Sequence, residues 1–175
     1  MDTSAEPSAI PEVPGPDSTE FRDAMARLPT AVSIVTTCDE EGRDHGFTAG
    51  SVASVSIDPP LVLVCLARNA DCHPAFASSS RWAVSVTSYE HTGLARRFAT
   101  KGADKFAEGR FRRTDSGVLV LEGARLALEC QVLDRYPGGD HDILVGRVVR
   151  THTDSGDALV FVDRSFTTTA ALAPR

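Results

Sequence analysis

The chain has 175 residues, 42% of them apolar and 24% charged, the size and balance of one water-soluble domain rather than of a disordered or fibrous chain. Eighteen basic against 24 acidic residues give a net charge of −6, which repels phosphate backbones and anionic lipid surfaces and argues against nucleic acid or a membrane as partner. The longest apolar run, residues 61–67, is far short of the ~20 residues a membrane-spanning helix needs.

Residues 1–18 hold Pro7, Pro11, Pro14, Gly15 and Pro16 among small polar residues, a composition with too little apolar surface to order, and they read as a mobile tail. The basic start and apolar stretch of a secretory signal are missing, which predicts a cytoplasmic protein. Cys38, Cys65, Cys72 and Cys130 are then thiols, and their gaps of 27, 7 and 58 residues fit no zinc or redox pattern, so no metal is expected. Asp17 or Ser18 caps a short helix with Phe21, Met25 and Leu28 on one face, stopped by Pro29. Strand patterns follow over 31–37, 46–57, 61–67, 82–87, 117–121, 124–136, 143–153 and 158–162. Two helices interrupt them, one starting at Pro74 and one over 90–100 with Leu94 and Phe98 facing inward. In the sixth pattern Leu126, Leu128, Cys130 and Val132 alternate with Arg125, Ala127, Glu129 and Gln131, one face for a core and one for solvent or a partner. Eight strands without regular βαβ alternation suit a closed, mainly β barrel with short flanking helices, spanning 19–170 and followed by a C-terminal tail, 171–175.

Several devices are absent: GxGxxG after a strand, GxxxxGK[ST], GxSxG and HExxH do not occur, which removes the usual anchors of Rossmann, P-loop, α/β-hydrolase and zincin chemistry. Three stretches stand out instead. The segment from Thr48 to Ser56 has the outline of a strand but is built from small and hydroxylated residues, among them Ala49, Gly50, Ser51 and Ser54, as if something other than protein packs on it. The loop Arg68-Asn69-Ala70-Asp71-Cys72-His73 leads from an apolar strand into a helix start, where free backbone N–H groups favour an anion. The run Gly138-Gly139-Asp140-His141-Asp142 places a histidine at a hairpin tip. Taken singly, each is also what an ordinary strand, cap or turn looks like.

In order along the chain, these pieces resemble the flavin reductase family. The resemblance is carried by Leu28-Pro29-Thr30-Ala31-Val32, Gly46-Phe47-Thr48-Ala49, Ser54 through Leu63 with its Asp58-Pro59-Pro60, Arg96-Arg97-Phe98-Ala99, Asp104-Lys105-Phe106, Leu128-Glu129-Cys130 and Gly139-Asp140-His141. It covers roughly residues 20–165. It implies a split β-barrel of Greek-key, FMN-binding type, a homodimer, FMN or FAD as flavin, and NADH or NADPH as hydride donor. The flavin ring would lie on Thr48, Ala49, Gly50, Ser51 and Ser54, because only small side chains leave room for a flat tricycle. The phosphate would reach Arg68, Asn69, Cys72 and His73, with Lys105 as charge partner; Cys72 stands where members often carry Ser. His141 would seat the nicotinamide on the open side. Members commonly pass reduced flavin to a separate monooxygenase. Two other readings stay open: a protein that keeps its flavin and acts on an organic metabolite, and a flavin-binding protein without turnover.

Overall fold

The computed structural model describes residues 14–169. Most of the expected N-terminal tail (1–13) and the expected C-terminal tail (171–175) lie outside the described residues. Helix α1 (Ser18–Ala26) starts where Asp17 accepts backbone N–H bonds from Thr19 and Glu20, at 2.8 and 2.9 Å. These two bonds, Glu20's first, hold the Asp17 carboxyl below its usual range. The apolar face of α1 remains exposed at Phe21, Met25 and Leu28.

The strands and remaining helices are β1 (Thr30–Ala31), β2 (Ser33–Cys38), β3 (Asp44–Ala49), β4 (Ala53–Ser56), β5 (Leu61–Ala67), α2 (His73–Ser78), β6 (Arg81–Val86), α3 (Thr92–Ala99), β7 (Phe111–Arg113), β8 (Leu119–Leu121), β9 (Leu126–Gly138), β10 (His141–Thr153), β11 (Leu159–Val162) and β12 (Ser165–Thr168). Seven of these strands form one antiparallel sheet in the order β3-β2-β6-β9-β10-β5-β4. Small sheets β1-β11-β12 and β7-β8 flank it. No described helix is long and apolar enough to cross a membrane.

The expected strand over 46–57 is two strands. β3 ends at Ala49 and β4 begins at Ala53, and these two lie on opposite edges of the seven-stranded sheet. Residues 50–52 therefore carry the chain from one edge to the other in at most ~14 Å, which forces the sheet to curl until its edges nearly meet. Among the described residues no ladder joins those edges. The seam is instead pinned by Ser51, whose Oγ accepts the Cys65 N–H at 3.0 Å. The barrel is thus split at one place rather than closed by hydrogen bonds all round, and the small residues Gly50 and Ser51 serve the crossing.

Inside the curl pack Val35, Val64, Leu66, Phe76, Trp82, Val84, Leu128 and Leu144. Gly146 makes room for Trp82, since a Cβ there would sit 2.5 Å from the indole Cζ2. Outside it, Ile34, Leu94, Phe98 and Leu121 form a second cluster with Phe106 and Phe111 against it. β2 is consequently buried on both faces, which is why Ser33–Thr37 shows no alternation.

Candidate active site

A cavity of about 320 Å³ opens at the seam, within the size range of small-molecule sites. Gly46, Phe47 and Thr48 of β3 form one wall and Cys65, Leu66 and Ala67 of β5 another. The loop 69–72, Phe98, Ala99, Lys101, Lys105 and His141 complete it.

Glycine at position 46 sets how close α3 comes. A Cβ there would fall 2.7 Å from Phe98 Cε1 and 2.8 Å from the Val35 carbonyl oxygen, so any side chain pushes the helix off the strand. Thr48 Oγ1 adds a bond of 2.6 Å to the Ala95 carbonyl. With α3 seated, the segment that follows it brings two cations, Lys101 and Lys105, to the cavity. Lys105 Nζ donates to the carbonyls of Phe98 at 2.8 Å and Thr100 at 2.7 Å, the helix-end groups that otherwise lack partners. That ammonium is held in place before any ligand arrives. Lys101 is more exposed and lies 3.5 Å from Asp71 Oδ1. The Gly102 N–H, bonded to Asp71 at 3.0 Å, is the main cause holding that carboxyl below its usual range.

On the other side, β9 and β10 continue to Gly138 and His141 and leave only Gly139 and Asp140 as the turn, with Gly139 at φ +70°. His141 is therefore a strand residue, paired with Gly138 and Ala67, rather than the tip of a loose loop. Its Nδ1 lies 2.7 Å from Asp140 Oδ1, and this bond lowers the Asp140 carboxyl. Burial pushes the Cys72 thiol up to about 11, so it lines the cavity as an uncharged wall and not as a nucleophile.

Of the residues singled out from the sequence, Thr48, Asn69, Cys72, Lys105 and His141 line this cavity. Ala49, Gly50, Ser51, Ser54, Arg68 and His73 do not. Ala49 alternates inward and packs in the barrel core, Gly50 abuts Thr30, Ser51 pins the seam, and Ser54 sits exposed on β4 beyond the crossing. Arg68 and His73 turn away to Asp142. Sequence reasoning did not single out Gly46, Phe98 or Lys101 for the site. Lys101 follows directly on α3, and a helix ending beside an anion loop was the signal for it.

The family model of the flavin reductase like domain matches residues 25–170, and the chain belongs to that family. An actinorhodin polyketide dimerase of Streptomyces coelicolor is 54% identical over 151 residues, 86% of this chain and 85% of that protein. An NADH:riboflavin 5'-phosphate oxidoreductase of Streptomyces pristinaespiralis is 44% identical over 175 residues, 98% of each chain. Among solved structures, the NADH:FAD oxidoreductase of Streptomyces globisporus, in complex with NAD and FAD fragments, has a TM-score of 0.85 at 31% identity over 90% of this chain and 96% of that one.

Proposed function

We propose that the protein is an NADH-dependent flavin reductase that binds FMN in the seam cavity, takes FAD as an alternative flavin, and hands reduced flavin to a partner monooxygenase. The observation that carries this reading is one cavity lined by two cations, Lys101 and Lys105, and by an accessible histidine, His141. The donor set fits the group. Gly46, Thr48, Cys65 and Ala67 leave the β3 and β5 walls low enough for a flat ring, and the lysines with loop 69–72 suit a phosphate. When bound, the flavin supplies the hydride acceptor. The chain's own part is positional: α3 fixes Lys105, the seam holds the ring walls apart, and His141 leaves a polar donor at the open side for the nicotinamide. Relatives support the donor and the partner, being named as NADH-dependent FMN reductases and as the flavin reductase component of a two-component tryptophan halogenase. The reading includes a cytoplasmic site of action, where reduced nicotinamide nucleotides are found.

The test mixes purified protein with NADH and free FMN and follows loss of the reduced nicotinamide absorbance. Turnover without any other protein or organic substrate is expected; NADH left unconsumed alongside tight flavin binding would identify a flavin carrier. A second reading has its own observation, the 54% identity to a protein named as a polyketide dimerase. On that reading the flavin is retained and used on a bound polyketide, and NADH is consumed only when such a compound is present.

The proposed assembly is a homodimer. Two register shifts in the β9–β10 ladder leave Leu133 and Val149 without a paired residue, and these bulges turn both outward at 56% and 54% exposure. Tyr136 on β9 is exposed as well. Such a face on long paired strands suits a second copy of the chain. Leu133→Asp combined with Val149→Asp is expected to shift the sedimentation coefficient from dimer to monomer. A double variant that still sediments as the dimer removes this face from the interface.

A further inference from the structure

We infer that Asp142 is a positioning residue that clamps the 68–73 loop to the His141 hairpin and so sets the cavity's grip on a phosphate. The inference rests on the flavin reading above and adds to it a residue outside the cavity lining.

Three bonds make the clamp. The Arg68 N–H donates to the Asp140 carbonyl at 3.0 Å, Arg68 Nε donates to Asp142 Oδ1 at 2.8 Å, and His73 Nε2 lies 2.7 Å from Asp142 Oδ2. Arg68 and His73 bracket the lining residues Asn69 to Cys72, so one carboxylate holds both ends of that loop. The loop's own bonds are two short turns, Ala70 N–H to Ala67 and His73 N–H to Ala70, and α2 starts at Cys72 without a side-chain cap. Its far side is tied to the end of α3 through the Gly102 N–H on Asp71. With the Asp142 carboxylate in place both ends of the loop are held by side chains; without it the His73 end is released and the Arg68 end keeps only its backbone bond to Asp140.

The same bonds explain why Arg68 and His73 are spent outside the cavity. Their donors satisfy a carboxylate that is about three-quarters buried, and bonds from His73 first and Arg68 second hold that carboxyl below its usual range. The cations left for a phosphate are then Lys101 and Lys105, and Asp142 acts on the ligand only through the loop it holds.

The test compares FMN with riboflavin, which lacks the phosphate, by flavin fluorescence titration of the wild type, Asp142→Ala and Asp142→Asn. The wild type is expected to bind FMN more tightly than riboflavin. Asp142→Ala should weaken FMN about tenfold, the loss of charge-assisted bonds converted to affinity, and leave riboflavin within about twofold. Asp142→Asn still accepts from Arg68 and should recover most of the FMN affinity. If Asp142→Ala does not fold, Arg68→Ala, which removes one of the side-chain bonds, is expected to give a smaller loss confined to FMN. Equal weakening of FMN and riboflavin, or no change in either, overturns the clamp while leaving the flavin reading standing. A wild type that binds neither flavin overturns that reading and the clamp with it.

Discussion

The β9–β10 ladder carries a histidine–carboxylate pair at each end, and the two pairs differ in burial far more than in geometry. At the cavity end His141 and Asp140 meet at 2.7 Å with side chains 41% and 94% exposed. At the far end His152 and Glu129 meet at 2.9 Å, and Glu129 is 2% exposed. The exposed pair is worth little to the fold, because water competes for both partners. The buried pair is committed to it, since Glu129 also accepts from Ser116 Oγ at 2.6 Å and any lost partner leaves a polar group stranded. Similar chemistry on the same two strands therefore differs by solvent: one histidine pair stays accessible, the other is fastened into the fold.

The strongest way to break that contrast is Glu129→Ala. It removes the buried acceptor shared by the Ser116 hydroxyl and the His152 imidazole and leaves a cavity, and it is expected to cost about 2 kcal/mol of unfolding free energy, read from the urea midpoint. NADH turnover per folded molecule should be unchanged; lost turnover with an unchanged midpoint would reverse the two ends' roles. The pH dependence sharpens it. Burial pushes the Glu129 carboxyl up, yet the bonds from Ser116 and then His152 outweigh this and leave it below its usual range. A carboxyl lowered by folding stabilises fully above the unfolded value of ~4.3 and loses that contribution as pH falls through the folded one. The wild-type midpoint should therefore fall more steeply below pH ~4.3 than that of Glu129→Gln, the other carboxylates being common to both.

The same contrast separates what the sequence discloses from what it hides. Inward alternation along β9 is local, and Leu128 and Cys130 are core as it implies; Ala127 and Glu129, on the face expected to meet solvent or a partner, are buried as well, because Val118, Val120 and Ser116 of a distant segment cover that face. The β-rich barrel follows from the count and spacing of such runs. The break at residues 50–52 was invisible because a period of two says that a segment is extended but not which edge it joins. Arg68 and His73 looked like anion ligands because their partner, Asp142, lies 74 and 69 residues away and no local spacing points to it. Ala49 looked available because small residues read alike whether they face a ligand or a packed core. The turn at Gly139 and Asp140 was legible through its glycine, although the place of His141 inside β10 was not.

The smaller effect, and the one that tests the exposed end, is His141→Ala. Its partner Asp140 is almost fully solvated, and its backbone bonds to Gly138 and Ala67 do not depend on the side chain. The melting temperature should hold to within ~1 °C, since an exposed pair contributes so little. The imidazole also lines the cavity, and on the proposed reading it seats the nicotinamide, so its loss should raise KM for NADH about tenfold while FMN affinity stays within about twofold. Equal loss toward NADH and FMN would move His141 from the open side into the walls that hold the flavin. A lowered melting temperature would mean that this pair, like Glu129 and His152, is fastened into the fold, and exposure alone would no longer tell a ligand-facing histidine from a structural one.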